Sequence, residues 1–105
     1  MIGEALKGHL DLLLLAILSE GPAHGYVVIE SLRSRSGGTF DLPEGTIYPA
    51  LHRLESQGLL RSRWSEDSAR RKRIYQLTSE GQQALARRQK EWKKFSKAIN
   101  ATVGF

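Results

Sequence analysis

Residues 58–81 read GLLRSRWSEDSARRKRIYQLTSEG. Within this stretch the periodicity changes. Leu60 and Trp64, then Tyr75 and Leu77, alternate with polar neighbours, and a spacing of two is that of a half-buried β-strand. The polar run Glu66-Asp67-Ser68-Ala69-Arg70 separates the two groups, so the stretch predicts a β-hairpin with a polar tip. The second strand opens on a row of cations, Arg70, Arg71, Lys72 and Arg73. Ahead of the hairpin, Gly58 suits the left-handed cap of a preceding helix. Behind it, Thr78 or Ser79 caps a following one, and the Ser79-to-Gln82 spacing fits a capping box.

Upstream the pattern is helical. From Glu4 to Ser19, Leu6, Leu10, Leu13, Leu14, Ile17 and Leu18 recur at helical spacing, and Leu12 and Leu15 make the far side apolar as well. A helix apolar all round is buried all round, which predicts that a second subunit covers part of it. Gly21-Pro22 stops this helix. A second helix is predicted over His24–Ser34, with Tyr26, Val28, Ile29 and Leu32 on one side, ended by Gly37-Gly38. A third begins between Pro43 and Thr46 and ends at Gly58, with Ile47, Leu51 and Leu54 inward. If Thr46 is the N-cap, Pro49 falls in the first turn; a start nearer Pro43 puts it inside the helix, where it should bend the axis. Downstream of the hairpin, Leu85, Trp92 and Ile99 recur every seven residues, with Phe95 and Val103 between, flanked by Arg87, Arg88, Lys90, Lys93, Lys94 and Lys97. A narrow apolar seam on a polar helix is the pattern of helix pairing; the alternative is packing on its own domain.

The order helix, helix, helix, hairpin, helix is that of a winged helix-turn-helix: a mainly α fold with a small β-hairpin. Residues 1–78 would form the DNA-binding domain, and residues 79–105 a C-terminal dimerisation helix. The 105-residue length fits one domain. With 40% hydrophobic and 26% charged residues the composition is globular. There is no Cys, which excludes disulfides, thiolate metal sites and cysteine nucleophiles. The longest apolar run, Leu12–Leu18, is seven residues, against about 20 needed to span a bilayer. With no signal-peptide pattern at the start, the expectation is a soluble cytoplasmic protein without a membrane partner. The net charge of +5 is unevenly spread: residues 1–50 carry three basic and six acidic groups, residues 51–105 thirteen and five. A basic half on a small domain points to a polyanion, and a solvated basic face is the alternative.

The chain resembles the PadR family of bacterial transcriptional regulators. The resemblance is carried by Leu14-Leu15-Ala16-Ile17-Leu18, Gly21-Pro22-Ala23-His24-Gly25-Tyr26, Gly45-Thr46-Ile47-Tyr48-Pro49-Ala50-Leu51-His52-Arg53-Leu54-Glu55, and Gly58-Leu59-Leu60. It continues in Arg71-Lys72-Arg73-Ile74-Tyr75-Gln76-Leu77-Thr78, with Gly81 and Leu85. It covers nearly the whole chain and is of the short kind with a single C-terminal helix. It implies a homodimer in which the last helix of each subunit packs on the first helix of the other, facing a roughly two-fold symmetric operator. The interface residues would be Leu6, Leu10, Leu13, Leu85, Trp92 and Ile99.

DNA binding needs cations for phosphates and short polar or aromatic groups for base edges. The outward side of the third helix offers Thr46, Tyr48, Pro49, His52 and Arg53. The resemblance places Thr46, Tyr48 and Pro49 at the entrance to the major groove. Arg53 suits phosphate, or else a surface pair with Glu55 or Glu30. Tyr26, at the start of the second helix, reads equally as a backbone contact or as core. Arg70, Arg71, Lys72 and Arg73 would form the wing, with alternate residues on opposite faces; Arg61 and Arg63 add to it or are solvated. Trp92, with Phe95, is either core or the platform for a flat aromatic effector, the second by resemblance to short family members. No enzyme is expected: His9, His24 and His52 lie in different elements and no carboxylates pair. No cofactor or metal is expected either. The function predicted is a sequence-specific DNA-binding regulator, a ligand-responsive repressor acting as a homodimer on a pseudo-palindromic operator. The alternative is a winged-helix protein-interaction module without specific DNA binding.

Overall fold

The computed structural model describes residue 6, residues 8–66 and residues 72–105. Helix α1 (Leu10–Leu18) is followed by a short strand β1 (Ala23–His24), helices α2 (Gly25–Arg35) and α3 (Glu44–Ser56), strands β2 (Leu60–Trp64) and β3 (Arg73–Leu77), and helix α4 (Ser79–Val103). The fold is mainly helical with a small antiparallel sheet, as the sequence predicts. The sheet has three strands rather than two, in the order β1-β3-β2. Ala23 pairs with Tyr75 and His24 with Ile74. Two residues are too short to display a period, so β1 leaves no pattern in the sequence.

The helix predicted from Glu4 is interrupted. Gly8 adopts φ +93, a left-handed conformation that ends a turn rather than continuing it, and α1 begins at Leu10. Residues 1–5 and 7 lie outside the described residues. Leu14, Leu15, Ile17 and Leu18 of α1 enter the core, while Leu10, Leu12 and Leu13 are only partly covered.

Helices α2 and α3 end in the same way. The amides of Gly38 and Leu59 reach back to the carbonyls of Arg33 and Leu54, and those of Gly37 and Gly58 to Ser34 and Glu55. Both are Schellman closures, which satisfy the last free carbonyls. Of the two starts the sequence allows for α3, the structure takes the one at Pro43 rather than Thr46. Pro43 is the N-cap, and its carbonyl accepts from the amides of Thr46 and Ile47 at 3.0 and 3.1 Å. Glu44 then sits in the first turn, where the helix dipole favours an acid, and Pro49 lies inside the helix. Pro49 cannot donate to the Gly45 carbonyl; both residues are exposed, so water can serve that group instead.

Ile47, Ala50, Leu51 and Leu54 of α3 pack with Val28 and Leu32 of α2, Leu60, Tyr75 and Leu77 of the sheet, and Ala84 and Leu85 of α4. At about 25 cal/mol per Å² of apolar surface, this shared core is what holds the elements in place. Helix α4 starts at Thr78, not through a Ser79–Gln82 box: the Thr78 hydroxyl accepts from the Gly81 amide at 3.0 Å and donates to the Gly58 carbonyl at 2.6 Å. The Ser79 hydroxyl instead donates to its neighbour Glu80.

Candidate nucleic-acid interface

In the β2–β3 hairpin, Leu60 faces Leu77, Ser62 faces Tyr75 and Trp64 faces Arg73. This side of the sheet begins in the core, with Leu60, Leu77 and Tyr75 buried, and grades outward into Ser62, Arg73 and Trp64. The polar end is fastened to α3. Arg73 Nε donates to Ser62 Oγ at 2.8 Å, and Ser62 Oγ donates to Glu55 at 2.6 Å. The Arg73 guanidinium also lies 4.9 Å from the centre of the Trp64 ring, a cation–π contact. A strand cation is thereby oriented by the acid at the end of the neighbouring helix.

Between this hairpin, the start of α2 and the side of α3 lies a concavity of about 520 Å³. Tyr26, Tyr48, His52, Lys72 and Arg73 line it, with His24, Glu44, Trp64 and Tyr75. One wall depends on the absence of a side chain: a Cβ on Gly25 would fall 2.5 Å from Cε1 of Tyr48 and 2.8 Å from its hydroxyl. Tyr48 therefore rests against the first residue of α2 and is half-buried. Burial, reinforced by the Glu44 charge, pushes its phenol above the ordinary value, and burial together with Glu55 does the same for Tyr75. Both hydroxyls are neutral at physiological pH and can donate as well as accept. His52 is exposed, its ring 6.4 Å from that of Tyr75. The Nδ1 of His24 is buried and has no hydrogen-bond partner among the described residues.

The structure thus brings together five of the residues singled out in the sequence: Tyr26, Tyr48, His52, Lys72 and Arg73. Tyr26 is surface rather than core, at 59% exposure. Thr46, Pro49 and Arg53 are exposed on α3 but do not line the concavity. Arg53 does pair with an acid, though with neither Glu55 nor Glu30: its Nη2 lies 2.5 Å from Asp11 Oδ1 on α1. Arg70 and Arg71 lie outside the described residues. Ser62 and Trp64, which hold Arg73, and Glu55, which holds Ser62, are functional neighbours not singled out for that role in the sequence. The available signal was the alternation in β2, which puts Ser62 and Trp64 on one face; the register that sets Arg73 opposite Trp64 comes from the strand pairing.

A second aromatic group forms where α1 meets α4. The rings of His9 and Trp92 meet edge-on with centroids 5.0 Å apart, and Phe95 is 6.0 Å from Trp92. A cleft of about 370 Å³ opens there, lined also by Leu12, Arg88 and Glu91. Of the residues assigned to a dimer interface, Leu6 and Leu85 are already buried in the single chain, whereas Trp92 and Ile99 are exposed. Among the described residues no group of His, Asp and Glu is arranged to hold a metal ion, and no helix is long and apolar enough to cross a membrane.

A model of the "Transcriptional regulator PadR-like family" matches residues 14–87. The transcriptional regulator YqjI of Escherichia coli K12 is 33% identical over 94 residues, covering 90% of this chain and 44% of that protein; the chain spans less than half the length of that relative. A transcriptional regulator from Clostridium thermocellum has the same fold at a TM-score of 0.86, with 28% identity over 93% of this chain and 96% of that one. A PadR family regulator from Eggerthella lenta matches at a TM-score of 0.86 and 32% identity, over 99% and 89% of the two chains.

Proposed function

Because the chain belongs to the PadR-like family of transcriptional regulators, we propose that it is a cytoplasmic, ligand-responsive repressor that binds double-stranded DNA sequence-specifically as a homodimer on a pseudo-palindromic operator. The observation that carries this reading is the concavity in which Tyr26, Tyr48 and His52 from two helices meet Lys72 and Arg73 from the hairpin. Cations beside neutral hydroxyl and imidazole groups are what phosphate anchoring and base-edge contact require. Lys72 and Arg73, with Arg70 and Arg71, would take phosphates; Thr46, Tyr48 and Pro49 would meet base edges. The test is fluorescence anisotropy with the DNA upstream of its own gene. A shift that survives competitor DNA at moderate salt is expected, and its absence would refute specific binding.

Homodimerisation is supported by the exposed row Trp92, Phe95, Ile99 and Val103 on α4, beside the partly covered Leu10 and Leu13 of α1. Sedimentation velocity should give twice the chain mass. The ligand we propose is a flat aromatic, held against Trp92 and Phe95. The Arg88 guanidinium in the same cleft favours a phenolate or carboxylate on the ring. Ligand-induced quenching of tryptophan fluorescence should be present in the parent protein and absent in Trp92→Ala.

A further inference from the structure

We propose that Asp11 is a positioning residue for Arg53 and that Arg88 sets how tightly Asp11 holds it; the proposal rests on the reading of α3 as the DNA-contacting helix. Asp11, in the first turn of α1, lies between two guanidinium groups from different elements. Arg53 of α3 is 2.5 Å from Oδ1, and Arg88 of α4 is 4.0 Å from Oδ2. The Asp11 side chain is only 18% exposed, that of Arg53 50%.

Thr46, Pro49 and Arg53 are spaced three and four residues apart and so share one face of α3. A phosphate approaching that face competes with Asp11 for Arg53. Surrendering Arg53 would cost Asp11 more if it were left without a counter-charge, because a largely buried carboxylate is poorly solvated. Arg88 supplies that counter-charge at the other oxygen. It therefore eases the transfer of Arg53 from carboxylate to phosphate, although it lies on another helix. Arg88 also lines the cleft at His9 and Trp92. An anion seated there draws Arg88 away, leaves Asp11 with Arg53 alone, and weakens DNA binding. The cleft and the reading helix are thus joined through one carboxylate.

The experiment measures the affinity of the full chain for the upstream duplex across a salt series. Asp11→Asn should tighten binding about two- to fivefold, the range of one exposed ion pair, and steepen the log–log salt slope by up to about 0.9 as Arg53 gains a phosphate. Arg88→Gln, which reproduces the withdrawal of Arg88, should weaken binding and flatten the slope. The double variant should match Asp11→Asn alone, because Arg88 acts through Asp11. A merely structural role for Asp11 predicts weaker binding on its removal, with no gain in slope. If the parent binds and Asp11→Asn binds no tighter, or the double variant is additive, this proposal fails while the DNA reading stands. If the parent shows no salt-dependent binding, the DNA reading fails and takes the proposal with it. Should Asp11→Asn not fold, Arg88→Gln decides: unchanged affinity overturns the proposal.

Discussion

The two halves of α4 are built for different surroundings. From Thr78 to Leu85 the helix is rooted: Thr78 is bonded to the end of α3, and Gly81, Ala84 and Leu85 are buried. A Cβ on Gly81 would lie 2.1 Å from the Leu59 carbonyl, so the first turn touches the backbone that leads into β2. From Trp92 to Val103 the apolar positions continue at the same spacing, yet Trp92, Phe95, Ile99 and Val103 are 41–62% exposed. One heptad pattern thus serves two purposes. Its first member completes a core within the chain, and the later ones are left exposed on it. A repeated motif need not mean a repeated environment.

The largest test of this contrast is Leu85→Ala. It should cost about 2–4 kcal/mol by leaving a core cavity, measured by urea unfolding and independent of protein concentration. Ile99→Ala should change stability only where unfolding depends on concentration; an equal, concentration-independent loss at both sites would erase the distinction. Trp92→Ala should raise the dimer dissociation constant about tenfold or more, as a central aromatic anchor does, with the single-chain fold retained by circular dichroism. Gly25→Ala probes the candidate interface itself, at the start of α2. The added methyl must displace Tyr48, which should destabilise by about 1–3 kcal/mol and weaken DNA binding in the anisotropy assay. Thr78→Ala removes the cap of α4 and should cost about 1 kcal/mol, read from the thermal midpoint.

The smallest expected effect is alkaline. Burial raises the Tyr75 phenol above its ordinary value of 10.0, so the folded state holds that proton more tightly than the unfolded one. The resulting stability is complete below the unfolded value and is lost as pH rises through the folded one. Tyr75→Phe should flatten the decline in stability above about pH 10, as followed by denaturation at several pH values.

Local pattern carried the succession of helices, the hairpin and the Gly58 closure, and narrowed the cap of α4 to Thr78 or Ser79, because each is set by residues within a few positions. The features that escaped depend on distance along the chain. The partner of Arg53 is Asp11, 42 residues earlier, and no local rule selects it over Glu55 or Glu30. Strand β1 exists because β3 is there to pair with it, not because Ala23-His24 is strand-like. The start of α3 turned on which of two nearby candidates, Pro43 or Thr46, would take the N-cap. The candidate interface was half legible: Tyr48, Lys72 and Arg73 stood out by type, but their convergence needed the closure of Tyr48 on Gly25.

A helix anchored at one end is a lever. The 19 residues from Leu85 to Val103 make 18 steps, which extend about 27 Å at 1.5 Å per residue. A rotation of about 5° at the root moves the far end by roughly 2 Å over that length. If a second copy grips the outer half, the relation also runs backwards: a small shift in how two such levers cross becomes a change in angle and spacing between the two rooted domains. For a protein meeting a helical polymer with a fixed repeat, that spacing is a dimension it must match.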